Sequence, residues 1–341
     1  MGHLVGYTFL FIQLCFDLWI YSIYTVYSLA ENFYRFLFPV RRKSLDKEII
    51  LITGSATGIG RAICLQLAAK TKATLVLWDV RKEANDELAE ILRQFGTQAR
   101  SYHVDLCSRS QIESAAERVK GEVGNVSVVI NNAGICNPVR FLDECQNPEA
   151  IERVFHVNVL SNFWILAQFL PQMVIHGHGH IATLSFLGSS STLPFLASYN
   201  ASKFAQHGLM ATLQDEIMKD PWRPDIKFTT AFATFTDTTL TSGQKITYRY
   251  PFILSTLDTT YVAKRVIEAI QRNKECVYIP WYMEIYVLLQ RMIPTRVRHV
   301  SSKLLFDLEL TTRSLEFSRN HAPFGHNNKK FGRFNLPPVK E

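Results

Sequence analysis

Tyr199 and Lys203 stand four residues apart in the run Tyr-Asn-Ala-Ser-Lys. On a helix that spacing puts both side chains on one face. An ammonium beside a phenol favours the phenolate and draws the tyrosine pKa down from about 10. The tyrosine then becomes a usable general acid and base near neutral pH. Taken alone, such a pair is commonly two surface neighbours, so its meaning depends on what the chain places around it.

A second constellation lies nearer the N-terminus. Gly54, Ser55, Thr57, Gly58, Ile59 and Gly60 fall in the run Thr-Gly-Ser-Ala-Thr-Gly-Ile-Gly, between an apolar strand-like run over 48–53 and a helical pattern over Gly58–Lys70. Glycines there permit a tight turn and let backbone N–H groups approach a pyrophosphate, and the helix N-terminus adds its positive end. Placed between strand and helix, the run reads as a dinucleotide cradle. Asp79 follows the second strand, 19 residues after Gly60. A carboxylate there accepts from the adenosine ribose hydroxyls and repels a 2′-phosphate, which favours NAD(H) over NADP(H). Arg81, two residues on, softens that preference, and Asp105, after the third strand, is expected by the adenine.

The elements that must carry these groups alternate. Strand-like runs at 48–53, 73–78, 98–104, 126–131, 180–185, 226–232 and Cys276–Ile279 are separated by helical patterns at Gly58–Lys70, 81–95, 108–121, 148–173, 196–219 and 259–272. Apolar strands in repeated strand–helix units predict an α/β fold, a parallel sheet covered on both faces.

Four features occur here in the order and spacing of the short-chain dehydrogenase/reductase family. They are the glycine run, Asn131-Asn132-Ala133-Gly134 after the fourth strand, Asn158 in the following helix, and Tyr199-x-x-x-Lys203. The chain resembles that family over roughly residues 48–280. The N-terminal apolar segment and the Trp-Asp-Val-Arg-Lys-Glu and Tyr-x-Ala-Ser-Lys-Phe-Ala contexts are similar to its membrane-associated retinol and hydroxysteroid dehydrogenase branch. The resemblance implies a Rossmann-type doubly wound parallel sheet of seven strands in the order 3-2-1-4-5-6-7. It implies hydride transfer between a nicotinamide and an alcohol or ketone carbon. Tyr199 would exchange the hydroxyl proton, Lys203 would bind the nicotinamide ribose and polarise Tyr199, and Asn158 would hold a water in a proton relay. Asn131 and Ala133 would lie beside the adenosine half, and Thr238 would meet the carboxamide.

Two departures stand out. The family's Pro-Gly after the sixth strand is replaced by Phe232-Ala233-Thr234. The family's serine, which hydrogen-bonds the substrate oxygen, falls 13 residues before the tyrosine, and that position is Phe186. Ser185 is its neighbour. Without gaps Phe186 replaces the serine. With one residue lost in the strand and one gained in the loop that follows, Ser185 takes the role, provided that strand pairing ends there and relaxes the alternation of side chains.

Residues 4–30 contain one charge, Asp17. As a helix they span about 40 Å against a bilayer core of about 30 Å. Arg35, Arg41, Arg42 and Lys43 follow, which keeps the C-terminal side in the cytosol. A mid-segment Asp17 is costly for a true span, so an interfacial anchor competes with a spanning helix. The sequons at Asn125 and Asn200 are expected to be unused, since a glycan beside Tyr199 would block the site. Four segments result: an anchor over 1–40, a cofactor-binding domain over 41–280, an extension over 281–320 that faces the membrane or packs as core, and a polar tail over 321–341.

The formal net charge is +7, and ten Lys/Arg against four Asp/Glu after residue 290 put most of it in the tail. A basic tail suits an anionic surface. There is no zinc-finger spacing and no basic run interleaved with aromatics, so nucleic acid is not expected. Six scattered cysteines with no Cys-x-x-Cys pair exclude a disulfide scaffold and a structural zinc site. The expected partners are a lipophilic small molecule, a membrane of the endoplasmic reticulum or a lipid droplet, and a second copy of the chain as a homodimer.

Overall fold

The computed structural model describes residues 2–38, 41–187, 193–238, 240, 245–248, 250–251, 254–294, 297 and 306–309. The chain divides into two compact units, Met1–Ser44 and Leu45–Glu341. The first holds one helix, α1 (Gly2–Leu37). Its segment Phe9–Glu31 is long and apolar enough to cross a membrane, and none of it is buried. Phe9, Phe11, Trp19 and Tyr24 are all exposed. A helix that is apolar all round has no water-facing side, which makes this segment a candidate anchor.

The second unit is an α/β domain. Its sheet strands are β1 (Ile49–Thr53), β2 (Thr74–Asp79), β3 (Ala99–His103), β4 (Val128–Asn131), β5 (His178–Phe186) and β6 (Asp225–Ala233). The last is β8 (Cys276–Ile279), because a short strand, β7 (Lys245–Tyr248), precedes it and pairs with β9 (Phe306–Glu309) outside the main sheet. The main sheet has the order β3-β2-β1-β4-β5-β6-β8, and every adjacent pair is parallel. This is the expected Rossmann-type sheet.

Its strands are apolar on both faces because helices cover both. Ile50 and Ile52 point with α2 (Gly58–Lys70), α3 (Lys82–Gln94) and α9 (Thr259–Gln271) into one core. Leu51 points the other way, into a second core with α4 (Arg109–Glu122), α7 (Ser161–His176) and α8 (Ala197–Lys219). All three β1 residues are fully buried. A third cluster holds Phe186, Leu196, Tyr199 and Phe235.

Four elements depart from or add to the sequence reading. The helix expected over 148–173 is α6 (Pro148–Phe155), a π-helical turn at His156–Leu160 and then α7. Strand β5 does not stop at Ser185: Phe186 still pairs with Ala233 of β6. The apolar stretch after Pro280 forms α10 (Met283–Met292), a helix with one buried and one exposed apolar face. Met283 and Val287 are buried in the third cluster, while Ile285, Leu288, Leu289 and Met292 are exposed. An unexpected short helix, α5 (Phe141–Glu144), lies between β4 and α6. The tail over 321–341 lies outside the described residues.

Candidate active site

The glycine loop joins β1 to α2 with Gly54 and Gly58 at φ of +66° and +58°. A Cβ on Gly60 would lie 2.0 Å from the Gly54 carbonyl oxygen, so no side chain fits where α2 approaches the loop. A Cβ on Gly58 would meet Thr238 Cγ2 at 3.2 Å, which puts Thr238 against the loop. Thr57, the residue before α2, makes no side-chain cap; its Oγ1 instead accepts from Arg81 Nη2 at 2.6 Å. The first N–H groups of α2 therefore keep the positive end that suits a phosphate. These residues fit a dinucleotide.

Asp79, at the end of β2, is 5% exposed. Its carboxylate accepts from the N–H groups of Ala56 and Arg81, both at 2.9 Å, and from Arg81 Nε at 3.4 Å. Arg81 thus bridges Asp79 and the glycine loop. Ser55 turns its hydroxyl inward, to Asn85 Oδ1 at 2.7 Å and the Trp78 carbonyl at 3.3 Å. Asp105 accepts from Cys107 N–H at 2.9 Å in the turn after β3. Ala133 N–H donates to Thr53 Oγ1 at 3.1 Å. Asn131 is 2% exposed, and its amide has no hydrogen-bond partner among the described residues.

At the C-terminal ends of β4, β5 and β6, one cavity is lined by Ile59, Cys136, Ser185, Phe186, Tyr199 and Thr238, with Leu196, Phe235 and Leu240 completing an apolar wall. The structure so brings Ile59 and Thr238 of the cofactor set to Tyr199 and Ser185 of the catalytic set. Asp79 and Asp105 lie apart from this cavity, at the β2 and β3 ends. Phe186 sets its ring 5.5 Å from that of Tyr199 and 5.2 Å from Phe235.

Tyr199 and Lys203 are both buried in α8. Lys203 Nζ sits 5.7 Å from the Tyr199 ring and donates to the Leu184 carbonyl at 3.0 Å and to Gln206 Oε1 at 3.1 Å. Burial pushes the Tyr199 phenol above its ordinary value, and the Cys136 thiol adds to that rise. The expected lowering of Tyr199 by Lys203 is not seen, because burial penalises the phenolate and dominates. Burial also lowers Lys203 to about 8 and raises Cys136 to about 12.

Asn158 lies in the π-helical turn and is fully buried. Its side chain accepts from Ile135 N–H at 2.9 Å and donates to the Ile135 carbonyl at 3.0 Å and to Ser202 Oγ at 2.9 Å. A Cβ on Gly134 would meet both Asn158 Oδ1, at 3.4 Å, and Lys203 Nζ, at 3.6 Å. The turn, the loop after β4 and α8 thereby converge on one point.

The family model for short chain dehydrogenase matches residues 48–248. The chain belongs to the short-chain dehydrogenase family. By that membership it is an NAD(P)-dependent oxidoreductase of alcohol and ketone groups. Among curated relatives it is 35% identical to human 17-beta-hydroxysteroid dehydrogenase 13 over 82% of this chain and 90% of that protein. It is 36% identical to estradiol 17-beta-dehydrogenase 11 of Pongo abelii, over 78% and 86%. It is 37% identical to mouse epidermal retinol dehydrogenase 2, over 75% and 81%. A solved short chain dehydrogenase/reductase from Burkholderia phymatum, in complex with NAD, shares the fold with a TM-score of 0.65 at 22% identity, over 73% of this chain and 94% of that one.

Three residues of this short-chain dehydrogenase site carry roles that the sequence did not assign to them. Asn132 clamps the glycine loop, its Nδ2 donating to the carbonyls of Thr53 at 2.9 Å and Gly54 at 3.0 Å. Asn85 ties the loop to the sheet: besides accepting from Ser55, it donates to the carbonyls of Leu77 at 3.0 Å and Tyr102 at 3.3 Å. Ser202 accepts from Asn158 and donates to the Tyr199 carbonyl at 2.7 Å. The signal for Asn85 is a polar residue on the apolar stripe of α3, in line with Leu88, Ala89 and Leu92.

Proposed function

We propose that this enzyme is membrane-associated and transfers hydride between NAD(H) and a lipophilic alcohol or ketone of retinoid or steroid type. The observation that carries the reading is the Tyr199 phenol in an apolar cavity bounded by Ile59 and Thr238 of the dinucleotide side. The relatives' names, which specify estradiol, hydroxysteroid and retinol, support the substrate class. Bound nicotinamide supplies the hydride donor or acceptor. Tyr199 gives its proton to the carbonyl oxygen in reduction and takes it from the hydroxyl in oxidation. The Lys203 ammonium stabilises the phenolate. Asn158, braced by Ile135 and Ser202, fixes the loop that faces both. Gly54, Ser55, Thr57, Gly58, Ile59 and Gly60 hold the pyrophosphate through their backbone, Asp79 and Asp105 the adenosine, and Asn131 and Ala133 the wall beside it.

The site lies on the cytosolic side of the endoplasmic reticulum membrane or of a lipid droplet. Helix α1 and the basic residues after it support this, as does Asn200. That sequon residue is 5% exposed with its amide donating to the Leu193 carbonyl, so a glycan there is incompatible with the fold. The 1–40, 41–280, 281–320 and 321–341 division belongs to the same reading. So does a homodimer, supported by exposed Phe163 and Ile175 on α7 and Phe204 and Met218 on α8. A second reading, a cofactor-binding protein with weakened turnover, is favoured by Phe186 facing Tyr199.

The test is oxidation of retinol and of a steroid alcohol by purified protein in detergent, with NAD and NADP in parallel. Reduced cofactor should form with NAD in preference to NADP, and Asp79→Ala should narrow the gap. Tighter binding of NADP(H) to the unaltered protein would overturn the cofactor assignment. Cofactor binding without any turnover selects the second reading.

A further inference from the structure

Lys203 does not end in the cavity. Behind it runs a file of buried amides. Gln206, one turn on in α8 and 1% exposed, accepts from Lys203 Nζ at 3.1 Å. Gln206 Nε2 donates to Asn162 Oδ1 at 3.4 Å, and Asn162, 3% exposed, donates from Nδ2 to the Asn158 carbonyl at 2.7 Å. The file begins at the catalytic ammonium and ends on the main chain of the π-helical turn.

Its direction is fixed from both ends. An ammonium only donates, so Gln206 must turn its oxygen to Lys203 and its NH₂ to Asn162. A backbone carbonyl only accepts, so Asn162 must turn its NH₂ to Asn158 and its oxygen to Gln206. No other orientation of the two amides satisfies all three contacts, and buried polar groups are costly when unsatisfied.

We propose that Gln206 and Asn162 are positioning residues of this site: a one-way amide chain that ties the Lys203 ammonium to the Asn158 main chain and holds it charged beside Tyr199. The proposal rests on the Tyr199–Lys203 reading above. Amides bind protons too weakly to relay them at neutral pH, so the chain acts by fixing the ammonium and not by carrying its proton away. The other titratable groups around Lys203 are the Tyr199 phenol on its own helix and the Cys136 thiol after β4. Beyond them lies the Glu144 carboxylate of α5, which accepts from Ser198 Oγ and acts on Cys136. Burial leaves Lys203 close to losing its proton, and Gln206 is the side-chain oxygen directly on it.

Lys203 can be titrated by its acylation with acetic anhydride as a function of pH, read by peptide mass spectrometry on the full chain. Gln206→Met keeps the volume and removes the acceptor. It should lower the Lys203 pKa by about one unit, a tenfold change in the ammonium-to-amine ratio, as befits losing a hydrogen bond to a charged group. Gln206→Glu keeps an acceptor and adds charge, so it should raise that pKa. Asn162→Leu should lower it less, and the double variant with Gln206→Met should lower it no further than Gln206→Met alone. Where alcohol oxidation is measurable, Gln206→Met should reduce kcat and leave KM unchanged. Shifts of one sign in both Gln206 variants, or none in either, would overturn the proposal. If Gln206→Met fails to fold, Gln206→Glu and Asn162→Leu, which must move Lys203 in opposite directions, decide the matter. Absence of turnover in the unaltered protein would sink the enzymatic reading, whereas the Lys203 titration still tests the amide chain.

Discussion

Phe186 stands 13 residues before Tyr199 and sets its ring 5.5 Å from that of the tyrosine, so in the ungapped alignment the place where the family keeps its serine carries no hydroxyl donor. The sequence left two occupants for that role. Its allowance for Ser185 rested on pairing that ends at Ser185, and β5 stays paired through Phe186. Alternation therefore separates the two side chains, although both reach the cavity wall. Losing an oxyanion-type donor costs on the order of 100-fold in rate. Turnover should accordingly be low with cofactor binding intact. Phe186→Ser should raise kcat by about tenfold or more, part of that donor's worth, if the ungapped alignment holds, whereas Ser185→Ala should remove most of the residual rate only if Ser185, which also lines the cavity, is the substitute donor. Steady-state oxidation rates check both, and brisk activity indifferent to either substitution would show that the donor lies elsewhere.

How much an element reveals of itself depends on what holds it. Strands β1, β2 and β4 were legible because burial on both faces makes them continuous apolar runs, whereas the sheet order came only with the family resemblance. The glycine loop was legible because its tolerances are steric: at Gly60 a Cβ would lie 2.0 Å from a backbone oxygen that cannot move aside. Gly60→Ala should therefore cost about 3 kcal/mol, the upper range for overpacking, and weaken NADH binding. Thermal unfolding and NADH fluorescence measure the two effects, and a neutral substitution would mean that loop and helix are not in this register. The π-helical turn was not legible. Nothing in the periodicity of residues 148–173 marks the extra residue, yet that turn carries Asn158. The roles of Asn132, Ser202 and Gln206 were not legible for a related reason. Their contacts join elements distant in sequence, and a pattern read along one helix or strand does not contain them.

At the scale of the whole molecule, the chain offers two candidate apolar surfaces to a membrane, and they differ in kind. The Phe9–Glu31 segment of helix α1 has no buried face among its described residues, so lipid would satisfy it completely. Helix α10 is bound on one face, by Met283 and Val287 in the cluster that contains Tyr199, and offers only the other, Ile285, Leu288, Leu289 and Met292 beside exposed Trp281. A full anchor buries some twenty apolar residues, whereas a half-buried helix of three turns adds a weaker, interfacial hold. Deleting residues 1–40 should thus release much of the protein from microsomal membranes, since the Leu45–Glu341 unit has its own core. The residual fraction should fall further on Leu288→Glu with Leu289→Glu, which charge the exposed face of α10 and leave its buried face intact. Flotation through a density gradient reads both steps. Full retention after the deletion, lost only with the two glutamates, would assign the anchor to α10 and reduce α1 to an accessory.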